Sequence, residues 1–379
     1  MFRVVILGGG FGGMAAAHAL RALLPSEDEI VLIEQRASFS MGLRKTWALT
    51  RQSPLADGQR SYDRLASRRI RWVQGAIDRI VPDGMEAVVD GASLAADAMV
   101  IALGAQHDSS SIPGLAEHAH NVYSTADLDR AAEAIANFPG GRVAVGVFGT
   151  PYPCPPAPFE IALLLADLFE ARRVEAEIEV FSPMPMSLPI LGQVGCALIE
   201  ERLEGRQIRF LPSHKATSVE PGRVRFATGP RSYDLILSIP PHRLPSPLAN
   251  SGLADGQAWI RPDPTTMELG VPNVYAIGDC TEVSLANGMA LPKAGVFAES
   301  EAGVVARRIA SRREGGMPDA KLSGQGFCFL EVGGGKAQLV QGDFLAHPGP
   351  QVQLTEPSAE VLEAKRVFER DRLAAWFGE

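Results

Sequence analysis

The chain has 379 residues, of which 46% are hydrophobic and 21% charged, and a formal net charge of −8. This is the composition of an ordinary globular protein long enough for two or three domains, and it excludes fibrous, low-complexity and disulfide-scaffold classes. The basic residues are scattered, which argues against a nucleic-acid partner or an anionic membrane surface, and no apolar run approaches the length of a membrane span.

The first residues, FRVVILGGG, enter a β-branched run with no charged leader, apolar signal core or small-residue cleavage site. The expected location is therefore the cytoplasm, with at most peripheral contact on the inner membrane face. FRVVILGGGFGGMAAAHALRALL reads as strand, glycine turn and helix. Gly8, Gly10 and Gly13 form G-x-G-x-x-G: one glycine for the tight turn, one for backbone approach to a pyrophosphate, one for helix–strand packing. The helix, opening at Phe11, would aim its free N–H groups at the phosphates. A second strand, EIVLIEQ, ends at Glu34, whose carboxylate is placed to accept from a ribose hydroxyl. Gln35 and, further on, Ile77 complete this wall of the expected cofactor site.

Asp97 to Gln106, DAMVIALGAQ, is an apolar strand followed by Ala102 and Gly104. It resembles the crossing strand of flavoproteins that bind two dinucleotides. NVYAIGDCTEV, ending a strand at Gly278 and Asp279, resembles their second flavin motif, where the aspartate accepts from the ribityl chain. Three motifs in that order make FAD the expected cofactor.

RVAVGVF, the strand expected to precede a nicotinamide loop, leads instead into GTPYPCPPAPFE. Its prolines remove the backbone N–H groups that would cradle a pyrophosphate, and the glycine spacing is missing. The NAD(P)H site is read as degenerate, with Cys154 presented near the place of a nicotinamide. The four cysteines, Cys154, Cys196, Cys280 and Cys328, form no C-x-x-C pair and no zinc-ligand spacing, so no metal site is expected. Arg36 to Thr50 contains no cysteine, which excludes the mechanism of the ordinary flavin disulfide reductases. Cys196 reads as a buried small hydrophobe and Cys280 receives no role. His242, an isolated histidine after an apolar strand, is read as structural.

GGGFGG, ALGAQ, CPPAPFE, LSIPPH, YAIGDCT, LPKAGVFAE and GFCFLE occur in the order seen in the flavoprotein subunit of flavocytochrome c sulfide dehydrogenase and in the sulfide:quinone oxidoreductases. The chain resembles this family over nearly its whole length. The resemblance implies that Cys154 and Cys328 form a redox-active disulfide beside the flavin. It also implies that Glu160 is an acid near that pair, and that Lys293 lies close to the flavin with the following helix aiming its dipole at the reduced ring. Hydrosulfide or another small sulfur compound would open the disulfide, leaving one cysteine persulfidated and the other as thiolate, and the electrons would pass through FAD to a quinone or a cytochrome c-type acceptor. A lysine or helix N-terminus nearby would lower the thiol pKa, and Glu160 would move protons.

Two departures qualify the resemblance. No cysteine follows the second strand to attach FAD, so the cofactor is expected to be non-covalent, and Leu103 to Arg142 lacks the third cysteine of many quinone-reducing members. The terminal segment SAEVLEAKRVFERDRLAAWFGE is a helix read as docked on its own domain in preference to lying on a membrane. Two other readings stand beside the sulfide reading: a type II NADH:quinone-like dehydrogenase, and a non-enzymatic flavin redox sensor. Association as a homodimer is compatible with the sequence.

The expected fold class is α/β: two Rossmann-like dinucleotide-binding domains, glutathione-reductase-like, with a C-terminal α/β segment. Residues 1–105 and 235–311 are assigned to the FAD domain, 106–234 to the inserted domain with the degenerate NAD site, and 312–379 to the segment that carries Cys328.

Overall fold

The structure, a computed structural model, describes residues 1–378. Its first domain is a five-stranded parallel sheet in the order Val274–Ala276, Ala98–Ile101, Arg3–Leu7, Glu29–Ile33, Arg71–Val73. Val4 to Leu7 and Ala98 to Ile101 have no accessible surface. Unbroken apolar runs of this kind, without alternation, belong to strands covered on both faces. Helix Phe11–Leu23 covers one face and packs along helix Gly295–Arg313.

The inserted domain repeats the design, in the order His120–Asn121, Leu235–Ile239, Gly141–Val147, Ala176–Phe181, Arg209–Leu211, again all parallel. Strand Leu235–Ile239 pairs inside this second sheet, not with the FAD domain to which its sequence position assigned it. Its uninterrupted apolar run fills the sheet centre between Val143–Val147 and His120–Asn121, so the return crossing falls after Ile239. The two crossings between domains meet in a short antiparallel ladder, Gln106 opposite Arg243 and His107 opposite His242.

The C-terminal segment is an antiparallel sheet, Gln325–Gly333, Lys336–Asp343 and Gln351–Leu354, followed by helix Ala359–Phe377. The Ser358 hydroxyl caps that helix by accepting from the Val361 N–H at 3.2 Å. Leu362, Phe368, Leu373, Trp376 and Phe377 are all buried, which supports the docked reading of this helix. Trp376 meets Phe11 and Phe39 edge-on at 5.0 and 5.6 Å, contacts worth about 0.5–1.5 kcal/mol each beyond burial. Among the described residues no helix is long and apolar enough to cross a membrane.

Candidate active site: a cofactor-sized cavity with two cysteines

The carboxyl ends of the first sheet, the inserted domain and the C-terminal hairpin enclose a cavity of about 820 Å³. Its lining includes Gly8, Gly10, Phe11, Glu34, Gln35, Ile77, Ala102, Gly104, Gly278, Asp279 and Lys293, and also Cys154, Glu160 and Cys328. Of the residues assigned a role in the site from sequence, Gly13 alone lies outside the lining. It works from beneath: a Cβ there would stand 1.9 Å from the Gly8 carbonyl oxygen. A more open depression of about 610 Å³ beside Asp28, Arg69 and Arg71 contains none of these residues.

The glycine turn suits the group for which its sequence is written. A Cβ on Gly8, whose φ is +103°, would sit 2.5 Å from the Ala102 oxygen, whereas Gly10 has no atom within 4 Å of the corresponding position and opens into the cavity. The helix that begins at Phe11 has no acidic residue in its first turn, which leaves its positive end free for phosphate. Glu34 accepts from the Gly9 N–H at 2.9 Å and from the Arg36 guanidinium at 2.9 Å. Burial opposes ionisation of Glu34, but Arg36 and these N–H groups outweigh it and hold the carboxyl below its ordinary range. At the other end, Glu301 lies under the flavin-type turn and accepts from the Gly278 N–H at 2.7 Å. Burial raises the Glu301 pKa to about 7 and also raises that of Asp279. The glycines, the acid and the turn all fit bound FAD.

Lys293 lines the cavity, but its ammonium donates to the carbonyls of Asp279 at 2.8 Å and Thr281 at 2.6 Å and stands 3.7 Å over the Trp259 ring. Desolvation lowers its pKa. Its main-chain carbonyl accepts from the Cys154 N–H at 2.7 Å.

The proline turn now has a mechanical reading. Between residues 151 and 156 only Tyr152 and Cys154 keep a backbone N–H. Cys154 adopts a left-handed φ of +53°, which lets it donate to Lys293 while its own carbonyl accepts from Ala157 at 2.9 Å and starts the following helix. The Tyr123 hydroxyl locks the turn from the side by donating to the Pro153 carbonyl at 2.8 Å. The Cys154 side chain is open to the cavity, whereas Cys328, on strand Gln325–Gly333, is buried at its wall. Both are free thiols.

The expected lowering of the thiol pKa is reversed. Desolvation, then the charge of Glu160, pushes the Cys154 thiol up to about 12, against weaker help from Lys365 and the Ala157 N–H. Burial and the neighbouring Cys154 raise Cys328 as well. The cavity thus favours both sulfurs uncharged.

Glu160 belongs to a buried network. Lys365 Nζ, 2% exposed as a side chain, donates to Glu160 Oε1 at 2.9 Å and Glu331 Oε1 at 2.7 Å. The Glu331 N–H donates to Glu160 Oε2 at 3.0 Å, and the Trp47 indole donates to Glu331 Oε1. Burial works against the Lys365 charge, yet the two carboxylates raise its pKa above the ordinary value. From sequence, Lys365 receives no role. A signal existed: it stands three residues from both Leu362 and Phe368, on the apolar stripe.

His107 and His242 face each other edge-on at 4.9 Å in the cavity wall, and Tyr123 stands 5.8 Å from His242. Burial, reinforced by each other's charge or that of Lys45, depresses His242 to about 3 and His107 to about 4. Cys196 and Cys280 are buried, with thiols directed at the carbonyls of Leu188 and Ile277.

Residues 2–149 match the family model "Pyridine nucleotide-disulphide oxidoreductase". An Arabidopsis thaliana alternative NAD(P)H-ubiquinone oxidoreductase is 25% identical over 347 residues, covering 79% of this chain, and the match spans 65% of that protein's own length. The mitochondrial sulfide:quinone oxidoreductase of Schizosaccharomyces pombe is 23% identical over 397 residues, covering 92% of this chain and 82% of that protein. The solved sulfide:quinone oxidoreductase of Aquifex aeolicus superposes with a TM-score of 0.88 at 21% identity, covering 100% of this chain and 92% of its own. The chain is an FAD-binding oxidoreductase whose residues 2–149 match the pyridine nucleotide-disulphide oxidoreductase model, and its whole length is similar in fold to the sulfide:quinone oxidoreductase of Aquifex aeolicus.

Proposed function

We propose that the protein oxidises sulfide or a related small sulfur compound through a Cys154–Cys328 disulfide and passes the electrons by way of non-covalently bound FAD to a quinone. The single observation that carries this reading is the placement of both cysteines in the wall of the cofactor cavity, with Cys154 fixed on a turn that lacks the donors for a nicotinamide pyrophosphate.

In the oxidised state hydrosulfide attacks one sulfur of the disulfide. One S–S bond breaks as another forms, leaving a persulfide on one cysteine and a thiolate on the other. A second small thiolate removes the outer sulfur as a persulfide and leaves both cysteines reduced. Bound FAD supplies the two-electron acceptor that returns the pair to the disulfide. The residues of the chain set the terms of each step. A medium that disfavours both thiolates means that the cysteine sulfur released from the disulfide takes up a proton. Glu160, held by Lys365 and lining the same cavity as the pair, is the carboxylate that exchanges protons with the cysteines in this reading. Lys293 fixes the main chain of Cys154 and the Asp279 turn together.

The Arabidopsis relative favours a second reading, a type II NADH:quinone-like dehydrogenase. Anaerobic titration of the holoprotein with sulfide, followed by flavin absorbance with NADH in parallel, separates the two. Stoichiometric bleaching by sulfide that Cys154→Ser abolishes supports the proposal. Bleaching by NADH that the variant retains overturns it.

A further inference from the structure

The sequence resemblance assigns the cation near the flavin to Lys293, yet the Lys293 ammonium is spent on the carbonyls of Asp279 and Thr281 and on the Trp259 face. Such a lysine shapes the turn that holds the cofactor and has its N–H donors already committed to it. A different lysine lines the same cavity. Lys45 stands on the short helix Arg44–Leu49, which packs against helix Leu128–Ala136 and against the helix that follows the proline turn. Among the described residues its Nζ makes one hydrogen bond, to the Tyr123 carbonyl at 2.5 Å, so two of its three N–H donors remain uncommitted. No carboxylate forms an ion pair with it there, which is rare for a lysine whose surroundings are largely protein.

We infer that Lys45 is the cofactor-facing cation of this enzyme, the residue that stabilises the negative charge that bound FAD gains on two-electron reduction. The groups that act on its charge are few. Arg36 repels it, Asp279 attracts it, and His107 and His242 in the cavity wall are neutral. Desolvation, then Arg36, brings the Lys45 pKa down to about 8. A large part of the population is therefore neutral above pH 8, and an anion formed beside it restores the proton.

Two-electron reduction of FAD to its anionic reduced form takes up one proton. With Lys45 as the responding cation, reduction above pH 8 takes up close to two, the second going to Nζ. Lys45→Met removes that proton and the charge. The prediction uses chemical reduction and so stands apart from the identity of the sulfur donor.

The test is a redox titration of the purified holoprotein, photoreduced against reference dyes from pH 6.5 to 9.5, for the wild type, Lys45→Met, Lys45→Arg and Lys293→Met. The expected result is a wild-type potential whose pH slope steepens from one toward two protons per electron pair above pH 8. In Lys45→Met the slope stays at one proton and reduced FAD is disfavoured at least tenfold at pH 7, about 30 mV lower for a two-electron couple. Lys45→Arg keeps the wild-type potential at pH 7 without the steepening, and Lys293→Met loses FAD content more than it shifts the potential of the FAD retained. A Lys45→Met potential equal to wild type overturns the inference. If Lys45→Met fails to hold FAD, the wild-type slope decides alone: one proton per electron pair throughout overturns it.

Discussion

Replacing Lys365 by Met removes the cation between Glu160 and Glu331 and keeps most of the side-chain volume. Two carboxylates already linked through the Glu331 N–H then share a site with no counter-charge, 5% and 2% exposed as residues. Breaking a buried ion pair from one side costs about 3–5 kcal/mol, because an uncompensated charge is left behind. The raised folded-state pKa of Lys365 means that its contribution is fully present below its ordinary value of 10.5, so an assay at pH 7 sees all of it. Unfolding entropy for a chain of 379 residues is about 0.8 kcal/mol per degree, so the expected fall in Tm is about 4–6 °C. Differential scanning calorimetry of the holoprotein measures it. Adding Glu160→Gln to Lys365→Met should return part of the loss, since one of the two stranded charges is gone. A drop under about 1 °C in the single variant, with full flavin content, refutes the reasoning.

Other outcomes follow from the same physics. Burial raises Glu301 from 4.5 to about 7 in the folded protein, so the folded state holds the proton more tightly and stability falls as pH rises through that window. Glu301→Gln keeps an acceptor for the Gly278 N–H and removes that slope, a gain of up to about 3 kcal/mol at pH 8 relative to pH 4, read by urea unfolding. His242 behaves oppositely. Its folded-state pKa of about 3 against 6.5 means that the unfolded chain binds the extra proton, and stability is lost as pH falls from 6.5 toward 3. His242→Phe should resist acid better over that range, and an unchanged acid limb in equilibrium unfolding counts against the buried neutral imidazole. For reduced Cys154, with its thiol pushed up to about 12, alkylation by iodoacetamide should be slow at pH 7 and still rise about tenfold per pH unit up to pH 9.5. A plateau near pH 8 contradicts that environment. Trp376→Ala, by emptying the pocket between Phe11 and Phe39, should cost about 3–5 kcal/mol and release the terminal helix, which limited proteolysis detects.

Much of this architecture was legible in the residues because its signals are local. The strand–glycine–helix start, the acid at Glu34 and the Gly278–Asp279 turn each carry their meaning within a few positions, and all of them line one cavity. The proline turn was equally readable, since a missing N–H is a property of the residue type. What sequence could not supply was long-range partnership. Glu160, Glu331 and Lys365 are far apart in the chain and meet only because the C-terminal hairpin folds back over the inserted domain. The thiol shift was misjudged for the same reason. A nearby helix end and lysine were visible, but the desolvation by the cavity walls and the Glu160 charge that overrule them belong to the tertiary structure. Strand Leu235–Ile239 shows the matching error for topology: its apolar run marks a central strand and says nothing about which of two parallel sheets it completes.

The central claim is that Cys154 and Cys328 work as one redox pair on one substrate sulfur. Mass spectrometry of peptides from the oxidised holoprotein, before and after one equivalent of sulfide under anaerobic acid quench, addresses it directly. The account predicts a peptide cross-linked through Cys154 and Cys328 that disappears on sulfide addition, while one of the two cysteines gains the mass of a single sulfur atom. Two unmodified thiols in both samples would contradict it.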